Sequence, residues 1–130
     1  MRAKVDLVAF LNVPWVRHGR SRDGYDCLGL AIAVRRAAGL AMPDYVYDQI
    51  VPCEIDRDFH AYGFKRLPGP RPWCIVTFVA DVPPFSSHLG VVTGDGAHFI
   101  HTMSRPPAKS HVLALDNPFW QRRASGFWEL

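Results

Sequence analysis

Cys27, His88 and His101 are the side chains in this sequence best suited to covalent chemistry at neutral pH. Cys27 follows Asp26, a favourable helix N-cap, and opens the apolar run Leu28 to Gly39. That pattern predicts a largely buried helix stopped by a glycine. A sulfur in the first helical turn faces the positive end of the helix dipole, which favours thiolate over thiol. A thiolate becomes a catalyst only with a histidine in hydrogen-bond reach and a third group to orient that ring. The competing reading of Cys27 is an inert core cysteine, since free cysteine is among the most buried residue types.

The histidines are sorted by a hairpin. His88 to Thr93 and Ala97 to Thr102 are two β-favouring runs around Gly94-Asp95-Gly96, a strong turn signal. With Asp95-Gly96 as the loop, Gly94 faces Ala97 and Gly90 faces His101. His88 then stands diagonal to His101 on one face, with Cα atoms ~7–8 Å apart and within reach of two imidazoles. Gly90 has no side chain to separate them, and alternation turns His98 the other way. The expected assignment is Cys27 as nucleophile, His88 as general base and His101 as orienting residue. A zinc site on Cys27, His88 and His101 is the rival arrangement, but no carboxylate or second cysteine flanks them at ligand spacing. His18, His60 and His111 have no partner at such spacing, so no metal and no cofactor are expected.

Other elements must hold these residues. Lys4 to Leu11 has helical spacing of Val5, Leu7, Val8 and Leu11 ahead of Pro14. Residues 17–24 read as a polar, solvated loop with a basic cluster. Glu54 to Tyr62 predicts a helix, and Leu67 to Pro72 a rigid extended connector. Cys74 to Val79 is a buried strand. His111 to Leu115 forms a weaker strand, Asp116 caps a short helix through Trp120, and Ser125 to Trp128 closes the sheet. Helices early and antiparallel strands late make an α+β fold, with the Cys27 helix packed on the C-terminal sheet.

The chain has 130 residues, 48% hydrophobic and 21% charged, which reads as one domain over 1–130 with a real core. A net charge of +3 suits an anionic partner but is too small to argue for nucleic acid. The three cysteines, Cys27, Cys53 and Cys74, are widely spaced without a CxxC pair. That speaks against a disulfide framework and for thiols kept reduced. No run reaches the ~18 apolar residues of a membrane span. Asp6 interrupts the only apolar stretch near Met1, so no export signal is read and synthesis in the cytoplasm is expected.

Pro14-Trp15-Val16-Arg17-His18-Gly19, followed by Gly24-Tyr25-Asp26-Cys27-Leu28-Gly29-Leu30, resembles a signature of the NlpC family of cell-wall cysteine peptidases. That signature runs Pro-Tyr-x-x-Gly-Gly … Gly-Phe-Asp-Cys-Ser-Gly-Leu. His88-Leu89-Gly90-Val91-Val92-Thr93-Gly94 is similar to its His-Val-Gly-Ile-Tyr-x-Gly segment, and Phe99-Ile100-His101-Thr102 to the segment of its third catalytic residue. Phe119-Trp120-Gln121-Arg122-Arg123 resembles its C-terminal aromatic and basic stretch. The resemblance implies a papain-like fold and hydrolysis of peptide bonds in peptidoglycan stem peptides through an acyl-enzyme at Cys27. It also implies an oxyanion hole that includes the Cys27 backbone N–H. It places Trp15, Asp26 and Leu28 around the substrate and the oxyanion. At two of these positions the chain departs from the family: Trp15 replaces a tyrosine by a donor-only indole, and Leu28 replaces a serine. His18 stands for the first glycine of the Gly-Gly pair. The chain most resembles the branch encoded with phage and prophage tails, which implies tail-tip proteins as partners and action on the bacterial wall. A non-catalytic tail-tip or wall-binding module of the same fold, and another papain-like amidase or acyltransferase, are the alternatives.

Overall fold

The structure, a computed structural model, describes residues 5–44, 55–80 and 86–130. Cys53 and the residues expected to start two of the helices, Lys4 and Glu54, lie outside these. The first element is a 3-10 turn, Leu7–Phe10, rather than a full amphipathic helix. Asp6 accepts the Val8 N–H at 3.1 Å, and the chain leaves in extended conformation at Leu11, ahead of Pro14. The polar loop is also more ordered than its composition suggests. Arg20–Ser21 (β1) and Gly24–Tyr25 (β2) pair as a two-stranded antiparallel ribbon.

Helix α1, Cys27–Ala37, begins where Asp26 accepts the Gly29 N–H at 2.7 Å. It ends where Gly39 takes φ +76°, a conformation that costs glycine nothing. There the Leu40 N–H bonds the Arg35 carbonyl at 2.9 Å and the Gly39 N–H that of Arg36 at 3.0 Å, satisfying the last carbonyls. Helix α2 is Ile55–Ala61, and an unexpected strand β3, Lys65–Leu67, follows, running into the start of the expected connector at Leu67. Then come β4 (Ile75–Phe78), β5 (His88–Val92), β6 (His98–His101) and β7 (His111–Ala114). A short helix α3, Pro118–Gln121, and β8, Ala124–Glu129, complete the described chain. The cap of α3 is Asn117, one residue later than expected, because Pro118 occupies the first helical position and the Asn117 side chain accepts the Phe119 N–H at 3.1 Å.

Six strands form one antiparallel sheet in the order β3-β8-β4-β5-β6-β7. Strand alternation sends Ile75, Leu89, Val91, Ile100 and Trp128 into a core with Leu28, Leu30, Ala31, Ile32 and Val34 of α1. Cys74, Val76, Phe78, Val92 and Phe99 form a second cluster under Trp120 of α3. The α+β layering is the one expected, with α1 packed across β5 and β6. Arg35 is buried within the first layer, and it donates to Glu129 at 2.7 Å and to the carbonyls of Trp73 and Ala41 at 2.8 and 3.0 Å. Among the described residues no helix is long and apolar enough to cross a membrane.

Candidate active site

Cys27 is the first residue of α1 and is half-buried, whereas Cys74 is sealed in the second cluster. Burial pushes the Cys74 thiol pKa up, which makes it a poor nucleophile. Several bonds fix the turn that presents Cys27. Besides capping Gly29, Asp26 accepts from the Arg20 guanidinium at 2.8 Å and from the His18 N–H at 3.2 Å. Arg20 in turn reaches Asp44 at 3.0 Å. One member of the basic cluster is therefore a structural clamp rather than a solvated charge. His18 takes φ +58°, in the left-handed region that favours glycine.

The hairpin register is the one counted from the turn. Val91 pairs with Ile100 and Val92 with Phe99, which sets Gly90 across from His101. His88 Nε2 and His101 Nδ1 are 2.8 Å apart. A Cβ at Gly90 would stand 2.9 Å from the Ile100 carbonyl oxygen and 3.3 Å from the His101 Cβ, so glycine is required for the two strands to approach this closely. Both rings are buried beneath Trp120, at centroid distances of 5.5 and 5.0 Å. Burial, reinforced by nearby His111, pushes the His88 pKa down to about 4. Burial also lowers that of His101, with His88 and His111 adding to it. Both imidazoles are thus neutral at pH 7, the state in which a histidine can accept a proton.

His111, which its sequence spacing left without a partner, is the residue that sequence reasoning missed. It is the cross-strand neighbour of His101, with Nε2 to Nε2 at 3.0 Å, and its Nδ1 lies 2.9 Å from the Lys109 carbonyl oxygen. The only signal was its position as first residue of a strand, and the connection from β6 carries no turn motif that sets the register.

Backbone contacts join the histidine end of the sheet to the entry of α1. Pro14 bridges Lys109, and Trp15 bridges Tyr25, two residues before Cys27. The Trp15 N–H donates to Ala108 at 2.8 Å. Trp15 is half-buried at this seam. Leu28 requires a correction. Its side chain is 0% exposed in the α1 core, so it packs beneath the site and cannot touch a substrate. Asp26 is likewise buried and engaged by three donors, so it positions the turn rather than meeting substrate. Among the described residues no three His, Cys, Asp or Glu side chains converge as metal ligands. The nitrogens that join His88, His101 and His111 point at one another instead of at a common centre.

Neither models of protein families nor curated protein sequences match the chain. Solved structures do. An NlpC/P60 family protein from Bacillus cereus ATCC 10987 superposes with a TM-score of 0.58 and 20% identity over 91% of this chain. The fold is that of NlpC/P60 domains. The NlpC/p60 domain of the peptidoglycan hydrolase SagA gives the same TM-score at 15% identity, covering 95% of this chain and 91% of its own. The chain spans 35% of the Bacillus cereus protein, so the match concerns the NlpC/P60-like unit and not that whole protein.

Proposed function

We propose that this chain is a cysteine peptidase that hydrolyses amide bonds in peptidoglycan stem peptides, with Cys27, His88 and His101 as its catalytic residues. The observation that carries this reading is the 2.8 Å bond between His88 and His101, held on strands against which the Cys27 helix packs. The likeness to NlpC/P60 domains, one of them from a peptidoglycan hydrolase, supports the substrate class.

In the proposed reaction, His88 Nδ1 takes the Cys27 thiol proton and the sulfur attacks the substrate carbonyl carbon. The resulting oxyanion is held by backbone N–H groups of the first turn of α1, that of Cys27 among them. The C–N bond breaks as His88 returns its proton to the leaving amine, leaving a thioester on Cys27. Water then attacks that thioester, giving a proton to His88, and the acid departs as the thiol is restored. His101 holds the His88 ring through Nε2, which leaves Nδ1 as the nitrogen available to the sulfur. By the family resemblance Trp15, whose indole N–H can only donate, would act as a further donor near the developing charge. The sequence resemblance further supports a role in a phage or prophage tail tip that opens the bacterial wall locally. Mass spectrometry of purified virions tests that role, and absence of the chain from them refutes it.

The deciding experiment incubates the purified protein and its Cys27→Ala variant with cell-wall sacculi. Stem-peptide fragments released by the first and not by the second support the proposal. Binding without release, equal in both, identifies a structural wall-binding module. Inert sacculi combined with turnover of another amide identify a different papain-like activity.

A further inference from the structure

We propose that His111 and the Lys109 carbonyl extend the His88–His101 pair into a directional proton relay that leaves Nδ1 of His88 as a bare lone pair. A carbonyl oxygen can only accept, so the nitrogen 2.9 Å from it, His111 Nδ1, must carry a hydrogen. In a neutral ring the other nitrogen, His111 Nε2, is then an acceptor. It lies 3.0 Å from His101 Nε2, which must donate, and this leaves His101 Nδ1 bare. That atom lies 2.8 Å from His88 Nε2, which must donate in its turn. The remaining nitrogen, His88 Nδ1, is unprotonated. One backbone oxygen therefore sets the tautomer of three rings. The relay serves catalysis only if Cys27 and His88 react as proposed above, whereas the tautomers hold regardless.

The same chain can move charge. When His88 Nδ1 gains the thiol proton, its Nε2 proton passes to His101 Nδ1, and the His101 Nε2 proton passes to His111 Nε2. Each transfer breaks one N–H bond and makes one. The positive charge leaves the buried ring of His88 for the half-buried ring of His111, where desolvation is less severe. His101 and His111 line a cavity of about 450 Å³ on this side of the sheet. Among the described residues, the cavity lining that His111 shares includes His101 from β6, Arg105 from the loop before β7 and Arg123 from beyond α3. A second proton on His111 would reverse every bond in the chain and put hydrogen on His88 Nδ1.

The test is ¹⁵N NMR of histidine-labelled protein at slightly alkaline pH, together with activity on sacculi. The expected tautomers are Nε2–H on His88 and His101 and Nδ1–H on His111. His111→Lys, a donor where an acceptor is needed, should turn His88 to Nδ1–H and lower kcat/KM by about tenfold or more. His111→Phe offers neither role and should leave His88 as a tautomer mixture. His111→Gln presents a carbonyl to His101 and should recover most of the activity lost in His111→Phe, with the acid limb of the pH profile displaced. Nδ1–H on His88 in the wild-type protein overturns the relay, as does a folded His111→Lys protein with unchanged tautomers. If sacculi are not cleaved at all, the wild-type spectrum still decides the relay, and only the catalytic reading falls.

Discussion

The two ends of α1 are built from different materials. At its start, a short polar network of Asp26, Arg20, Asp44 and the His18 N–H holds a half-buried cysteine at the molecule's rim. At its finish, buried Arg35 ties the helix to Glu129 of β8 and to two carbonyls, and Gly39 closes the last turn. The finish is committed to stability. It fixes the helix on the sheet, while at the start Leu28 and Leu30 pack into the core and Cys27 beside them stays half-buried. The proposed nucleophile and the anchorage are separated by the ten residue steps between Cys27 and Ala37, a distance of about 15 Å along a helix.

If that division is right, damage at the two ends should read out differently. Cys27→Ala should abolish release of stem peptides, by about 10⁴-fold or more, while leaving stability within about 1 kcal/mol. A large loss of urea resistance in this variant would erase the division. Arg35→Met should do the reverse, costing about 3–5 kcal/mol in chemical denaturation because Glu129 is left without its buried partner. Activity per folded molecule should survive it, and the double variant Arg35→Met with Glu129→Leu should regain much of the loss.

Gly90→Ala sharpens the contrast from the side of the strands. The added methyl meets the Ile100 carbonyl and the base of His101, so the imidazole pair is displaced. Activity should fall by about 10–100-fold, more than the change in thermal stability alone would explain. The response to acid probes the two histidines directly. His88 and His101 are held below the ordinary imidazole pKa, so the unfolded chain binds protons that the folded chain refuses. Their contribution to stability is complete above about pH 6.5 and declines as pH falls toward 4, by about 1.4 kcal/mol per pH unit for each histidine. Urea titrations across this range measure the slope, and His88→Gln should make it shallower.

Much of this arrangement was legible in the residues because it is local. Asp26 followed by an apolar run defines α1, and a Gly-Asp-Gly turn defines the register that sets His88 beside His101. What escaped depends on contacts distant in sequence. β3 is a three-residue strand with no pattern of its own, made a strand by β8, which lies more than fifty residues later. The β1–β2 ribbon hides in a stretch whose charges suggest solvent, although Arg20 is drawn inward by Asp26. His111 meets His101 because the connection from β6 doubles back through residues with no register signal. Leu28 was read by analogy with a substrate-facing serine, yet its apolar side chain belongs to the core, as its type alone would have suggested.

The place of β8 has a consequence for how the molecule is assembled. Strands β4 to β7 are sequential neighbours and can zip up as they are made, but β3 waits for a seam that arrives only with Ala124–Glu129. Arg35 waits for the same strand, since its carboxylate partner is Glu129. Synthesis must therefore reach Glu129 before β3 and Arg35 find their partners and the sheet can close over α1, and a nascent chain lacking Ala124–Glu129 should stay open to proteases.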